Sequence, residues 1–313
     1  MRLGPARSQV PGDITVIVNG VAIDDTFAEA FAMRATRLII TASTPAWARQ
    51  AAVSMTGFAT SVIGCGVEAG IERELDAGDT PDGRPGIAVL LFTTSSSELA
   101  KQLERRVGQC VLTSPTSAVF AGIGSGRPLP LGKTLRYFGD GHQISKMIGA
   151  RRYWRVPVMD GEFIAEDTTA MSDAIGGGNF LILATGSSQA LAAAEAAIGA
   201  MRQVGGAIMP FPGGIARSGS KIGSKYKTLI ASTNDAFCPT LRAGVDSELG
   251  ADIECVYEIV IDGLTEEAVR QSMQVGLRAV CAVGAAGGIR RLSAGNYGGK
   301  LGKFHFPLRE LLP

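Results

Sequence analysis

One carboxylate stands where proton chemistry is possible. In Cys255-Val-Tyr-Glu-Ile-Val-Ile261 the strand period of two puts Val256, Glu258 and Val260 on one face. A glutamate flanked by valines on such a face is either solvated or held in an apolar site. In the second case desolvation raises its pKa and suits it to general acid–base work near neutrality. Two glycine-rich loops offer backbone to a ligand. The stretch Phe211-Pro-Gly-Gly-Ile-Ala-Arg-Ser-Gly-Ser-Lys-Ile-Gly223 gathers Phe211, Gly213, Gly214, Ser218, Ser220 and Lys221, and is either an anion-binding backbone nest or a plain connector. Near the C-terminus, Ser293-Ala-Gly-Asn-Tyr-Gly-Gly-Lys-Leu-Gly-Lys-Phe-His-Phe306 contains Gly295, Asn296, Tyr297, Gly299 and Lys300. A phosphate-cradling loop requires Gly-x-x-x-x-Gly-Lys-Ser/Thr between a strand and a helix. Here Gly295 and Gly299 stand one residue too close, and Leu301 follows Lys300 where a hydroxyl is needed. The nucleotide reading fails, leaving tight turns or close approach of backbone to a ligand. Gly64-Cys-Gly-Val-Glu-Ala-Gly70 reads as a third glycine-rich turn.

The elements that must position these residues form a repeat. Arg37–Ala42 reads as a strand, Ser43-Thr44-Pro45 as a cap and first turn, and 46–60 as a helix. A strand over Ser61–Cys65, a buried-type strand over Ile87–Phe92 and a helix opened by the capping box Ser95-Ser-Ser-Glu98 follow. Thr134–Phe138 closes the set as a last strand. The second half repeats the rhythm. Phe180–Ala184 is a strand, Ser187 or Ser188 caps a helix running to about 204, and strands follow at Ala207–Phe211, Tyr226–Ala231 and Cys255–Ile261. A helix from Thr265 to about Val280 and a strand over Gly288–Ser293 complete it. The matching pair Leu38-Ile-Ile-Thr-Ala-Ser-Thr44 and Leu181-Ile-Leu-Ala-Thr-Gly-Ser187 is what internal duplication leaves. The expected fold is α+β: two ferredoxin-like, split βαβ lobes packed together.

Composition excludes several classes. The 313 residues carry a net charge of +1, with 46% hydrophobic and 6% aromatic residues, so no electrostatic bias draws the chain to nucleic acid or anionic membrane. The basic aromatic stretch Arg151-Arg-Tyr-Trp-Arg155 reads as a strand entering the second half rather than an RNA-binding face. There is no apolar signal-peptide core and no run long enough to span a bilayer. Five scattered cysteines without a Cys-x-x-Cys pair, and only His142 and His305, argue for reduced thiols in the cytoplasm and against a metal centre. No Ser-His-Asp or Cys-His grouping supplies a covalent nucleophile.

A set of segments, in order, carries a family resemblance. They are Asn19–Phe31, Thr80-Pro-Asp-Gly-Arg-Pro-Gly86, Gly108–Thr113, Phe138-Gly-Asp-Gly141, Gly177-Gly-Asn-Phe180, Pro210-Phe-Pro-Gly-Gly214, Cys238-Pro-Thr240, Tyr257–Gly263 and Ala294–Lys303. Together they resemble formylmethanofuran–tetrahydromethanopterin formyltransferase, particularly the bacterial formyltransferase/hydrolase complex subunit. Residues 1–18 depart from the family as an extension the archaeal members lack, expected to be flexible; the resemblance implies an N-terminal ferredoxin-like lobe over 19–153 and a C-terminal one over 154–313. It implies direct formyl transfer between methanofuran (or a bacterial analogue) and a ring nitrogen of tetrahydromethanopterin, with Glu258 as proton shuttle and no tightly bound cofactor. It further implies a homotetramer, hydrolase-complex partners and a role in formaldehyde oxidation to formate. The stretch 122–132 departs from the family pattern. A catalytically silent subunit that only docks a hydrolase is the alternative.

Overall fold

The computed structural model describes residues 16–312. Of the extension expected over 1–18, residues 1–15 lie outside the described residues, whereas Val16–Val18 form a strand paired antiparallel with Val21–Ile23.

Two β-α-β-β-α-β units follow one another. The first comprises β1 (Phe27–Thr41), α1 (Pro45–Thr56), β2 (Val67–Leu75), β3 (Gly86–Thr93), α2 (Ser96–Arg106) and β4 (Ala118–Ala121). The second comprises β5 (Thr168–Ala184), α3 (Ser187–Met201), β6 (Ala207–Ile208), β7 (Cys255–Gly263), α4 (Glu266–Val283) and β8 (Ile289–Ser293). In the first unit β1 pairs antiparallel with β3 and β4, and β3 with β2. In the second β5 pairs antiparallel with β7 and β8, and β7 with β6. Both sheets therefore have the spatial order fourth, first, third, second, the ferredoxin-like arrangement.

Local chemistry sets the helix starts. Thr44, Ser95 and Thr265 each sit in extended backbone and accept the N–H three residues on, ahead of α1, α2 and α4. The expected serine cap of α3 is absent: Gly186 holds that position without a side-chain bond, and Ser187 opens the helix itself. One core lies under α1 and α2 and includes Leu38, Met55, Val89, Leu99 and Leu103; another lies under α3 and α4 and includes Phe180, Ile198, Ile259, Met273 and Leu277. The long first strands join the units, residues 31–35 of β1 pairing with 172–176 of β5. β5 is bulged just after this joint. Gly177 adopts φ +88°, which aims its N–H at Asp262 Oδ1 3.1 Å away.

Several expected strands differ. Thr134–Phe138 is helical, within the turns Gly132–Leu135 and Arg136–Gly139, and the short Ala118–Ala121 closes the first sheet instead. Ser61–Cys65 is a two-residue bridge and a helical turn. The second strand begins at Val67, so Gly70 is a strand residue, packed within van der Waals reach of Ile208. The Ala207–Phe211 strand stops at Ile208, and the Tyr226–Ala231 strand shrinks to Ala231–Thr233, which pairs with Ser220–Ile222. Here the two units part company. The link between second and third strands is short in the first unit, but in the second it is the excursion 209–254, which folds over the sheet face away from the helices.

Candidate active site

That excursion decides the environment of Glu258. Along β7, Ile259 and Ile261 point into the helix-covered core, while Val256 packs with Leu181, Leu183, Phe237, Leu249 and Ile253 on the other face. The face expected to be either solvated or apolar is thus roofed by residues of the 209–254 segment. β6 is too short to flank this part of β7. Ala216 takes its place, exchanging backbone bonds of 2.8 and 2.9 Å with Glu258. A Cβ at Gly219 would lie 3.4 Å from Glu258 Oε2, so the loop backbone runs beside the carboxyl. Among the described residues no donor hydrogen-bonds that carboxyl. Burial alone pushes its pKa up to about 7, although the side chain keeps a strip of access to solvent. A carboxyl poised at that value can accept and return a proton near neutral pH.

Glu258 opens into a cleft of about 590 Å³. Its walls bring together Ser220, Lys221, Gly295, Asn296 and Tyr297 from the sequence-derived set, joined by Asn179 and Asn234. Charged groups on the walls are largely paired: Lys221 with Asp235 at 2.6 Å, Arg291 with Asp24 at 3.5 Å and Arg309 with Asp25 at 3.0 Å. Phe211, Gly213 and Gly214 line a different, larger cleft of about 660 Å³, together with Arg202, Met209 and Glu72. That cleft lies between the two units, and its carboxylates are paired: Glu72 is clamped by Arg37 through two bonds of 2.6 Å and by the Gly206 N–H, and Glu74 pairs with Arg49 at 2.7 Å. The smaller cleft is therefore the better candidate for chemistry. Ser218 and Lys300 are exposed and line neither.

The C-terminal glycine loop binds a carboxylate from within. Glu29, on β1, is fully shut from solvent beneath the loop. Its Oε2 accepts the N–H groups of Tyr297 (2.6 Å) and Gly299 (2.9 Å), and its Oε1 those of Leu301 (2.6 Å) and Gly302 (2.5 Å). Burial works to raise the Glu29 pKa, but these four donors overcome it and hold the group down at about 2. Glycine is required for the approach: a Cβ at Gly302 would lie 2.5 Å from the Ala30 carbonyl oxygen and 2.7 Å from Glu29 Cγ. Asn179 pins the start of the loop, accepting from Gly295 N–H at 2.6 Å and donating to its carbonyl at 3.1 Å. Neither residue was singled out by the sequence reading. Yet Phe27-Ala-Glu-Ala-Phe31 carries the signal that drew attention to Glu258, a lone carboxylate in an apolar strand.

Comparison with known proteins agrees with this architecture. Residues 16–158 match the family model of formylmethanofuran–tetrahydromethanopterin formyltransferase, and residues 161–311 match that of its proximal lobe. The chain is 67% identical to the formylmethanofuran–tetrahydromethanopterin formyltransferase of Methylococcus capsulatus over 95% of this chain and all of that one. It superposes with TM-score 0.94 and 51% identity on a chain of the formyltransferase/hydrolase complex from Methylorubrum extorquens with methylofuran, covering 96% of this chain and 99% of that one. The Methanosarcina barkeri formyltransferase gives TM-score 0.90 at 47% identity, with 95% and 100% covered. The chain belongs to the formylmethanofuran–tetrahydromethanopterin formyltransferase family.

Proposed function

We propose that the chain moves a formyl group between the amine of methanofuran, or a bacterial analogue, and a ring nitrogen of tetrahydromethanopterin, with Glu258 carrying the proton. The observation behind this assignment is a carboxyl at about 7 opening into a cleft of about 590 Å³. The incoming amine attacks the formyl carbon, forming the new C–N bond and a tetrahedral oxyanion. Its proton passes to the Glu258 carboxylate, which returns it to the departing nitrogen as the old C–N bond breaks. Holding both coenzymes in one cleft makes the attack effectively intramolecular, an advantage of up to about 7–11 kcal/mol with ideal alignment. The N–H groups of Tyr297, Gly299, Leu301 and Gly302 already serve Glu29. This leaves the backbone of 217–219, alongside Glu258, as the better source of oxyanion donors.

Both coenzymes act as substrates in this reading, with no tightly bound group. The chain would work in the cytoplasm; among the described residues no helix is long and apolar enough to cross a membrane. We assign lobes to 19–153 and 154–313, a homotetramer as the working state and hydrolase subunits as partners. The relative from Methylorubrum extorquens, which belongs to such a complex, supports the last point. Flux would then run from formyl-tetrahydromethanopterin to the methanofuran analogue and on to formate. The test is formyl exchange by the purified full chain, followed by pterin absorbance between pH 5 and 9. Transfer with an acid-side limb near 7 supports the reading. A folded chain that transfers nothing favours the silent docking subunit.

A further inference from the structure

We propose that Glu29 is a positioning residue of the Glu258 site: by holding the 295–302 loop closed through four backbone N–H groups, it sets Tyr297 as a wall of the cleft. The inference deepens the formyl-transfer reading and rests on it.

The geometry carries the argument. Glu29 sits on β1 beneath the loop, and each of its two oxygens receives two N–H groups from residues 297–302. Only an ionised carboxylate offers acceptors in that number without presenting a donor of its own. The loop's other attachments lie at its start, where the Glu29 N–H also donates to the Gly295 carbonyl at 3.3 Å and Asn296 Nδ2 to the Phe27 carbonyl at 3.4 Å. Asn179 pins Gly295, Asn296 Nδ2 donates to Thr26 Oγ1 at 2.9 Å, and the Tyr297 ring meets Phe31 at 5.8 Å between centroids. The first of the four donors is the N–H of Tyr297 itself, so the carboxylate grips the residue whose side chain lines the Glu258 cleft. Burial, then the charges of Glu258 and Glu29, raise the Tyr297 pKa, which places its hydroxyl within the field of both carboxylates.

The consequence reaches Glu258 through water. Its pKa is raised by burial alone, so a wall that swings away rehydrates it and lowers that value. The other titratable and charged groups facing the cleft are Lys221 and Glu248 from the excursion, Arg291 from β8, Asp24 and Asp25 beside β1, and Arg309 near the C-terminus. Tyr257, Arg217 and Cys238 line a small neighbouring pocket that Glu258 also lines. None of these belongs to the 295–302 loop, so opening that loop removes cover without removing a charged neighbour.

The test compares the full chain with its Glu29→Gln variant. In glutamine one oxygen remains, while the amide turns its own N–H groups toward two of the donors. A carbon-13 titration of the glutamate carboxyls, with Glu258→Gln identifying the signal, reads the cleft directly. We expect the Glu258 midpoint to fall by about one unit or more toward the ordinary carboxylate value. The acid limb of kcat/KM should follow it, with kcat down about 10- to 100-fold. Combining Glu29→Gln with Tyr297→Ala should add less than about threefold to either alone, because both act through one wall. Should Glu29→Gln fail to fold, Gly302→Ala disturbs the same nest by steric means and should move the midpoint in the same direction. A Glu258 midpoint that stays near 7 in a folded variant overturns the proposal, whatever happens to the rate. A midpoint that shifts as described in the variant, while the wild-type chain transfers no formyl group, would instead defeat the formyl-transfer reading.

Discussion

Glu29 and Glu258 are the same side chain, one on the first strand of the first repeat and the other on the third strand of the second, each flanked by apolar residues, and the fold treats them oppositely. Glu29 is roofed by glycine-rich backbone whose four N–H groups point inward, so its charged form is favoured and its pKa sits at about 2. Glu258 is roofed by the 209–254 excursion, which supplies apolar side chains and backbone but no donor to the carboxyl, so its neutral form is favoured and its pKa stands at about 7. Burial is common to both. The orientation of nearby backbone dipoles decides between a structural anchor and a proton carrier.

The largest effect that would break this contrast concerns turnover. Glu258→Gln keeps the shape and removes the titration, so kcat should fall by about 10²- to 10⁴-fold while KM for either coenzyme changes only a few-fold. Near-normal turnover would take Glu258 out of the mechanism. A loss confined to KM would make it a binding group.

Stability should separate the two glutamates next, in opposite directions. Because the folded Glu258 pKa lies above its unfolded value, its contribution is favourable at low pH and declines as pH rises from about 4.5 to about 7. Glu258→Gln should therefore be more stable than wild type at pH 8, by about 2 kcal/mol after allowing for the water that reaches the group. Glu29 has a depressed pKa, so its contribution is complete above the ordinary carboxylate range and is lost as pH falls toward about 2. Glu29→Gln should lower the thermal midpoint at pH 8 and narrow its gap to wild type in acid. Thermal melts of both variants across pH 3 to 9 decide the matter. Parallel curves would mean that the two sites are not opposites.

A third carboxyl environment sharpens the comparison with a smaller effect. Asp262 is fully buried, and among the described residues its Oδ2 has no hydrogen-bond donor beyond what a proton shared with Glu68 would supply. Burial, then the charge of Glu68, raises its pKa well above the usual range, and burial raises that of Glu68. The pair joins β2 of the first unit to β7 of the second, and Gly177 N–H donates to Asp262 Oδ1. Folding thus retains a proton that the unfolded chain releases, and stability should fall as pH rises above the ordinary carboxylate range. Asp262→Asn keeps one donor toward Glu68 and one acceptor toward Gly177, so it should flatten that slope. An unchanged slope would place the alkaline sensitivity elsewhere.

Much of this architecture was legible because its signals are local. Thr44-Pro45, Ser95 with Glu98, and Thr265 announce helices through capping chemistry, and the apolar runs Ile87–Phe92 and Cys255–Ile261 announce strands. Failures came where tertiary pairing overrides pattern. Ala118–Ala121 is too short to stand out but is held by β1, and Gly70 looks like a turn residue until Ile208 is seen packed against it. The site was harder still. Glu258 could be singled out, but whether its face was wet depended on a cover contributed by distant residues. Glu29 escaped because its partners are backbone N–H groups some 270 positions away, which leave no residue-type signature. The glycines of 295–302 were visible; the carboxylate they enclose was not.

The smallest predicted effect tests the cause assigned to Glu258. Lys221 lines the same cleft, and a nearby ammonium would ordinarily draw a carboxyl pKa down. Its Nζ is instead engaged by both oxygens of Asp235, at 2.7 and 2.6 Å, so the pair presents little net charge to the cleft. Removing the pair together, Lys221→Met with Asp235→Asn, should accordingly leave the Glu258 midpoint and the acid limb of kcat/KM near 7, even if substrate affinity changes. A midpoint that climbs by half a unit or more would show that Lys221 had been opposing the burial. The contrast with Glu29 would then be one of charge as well as of backbone donors, and the lysine would belong beside Tyr297 among the groups that tune the proton carrier.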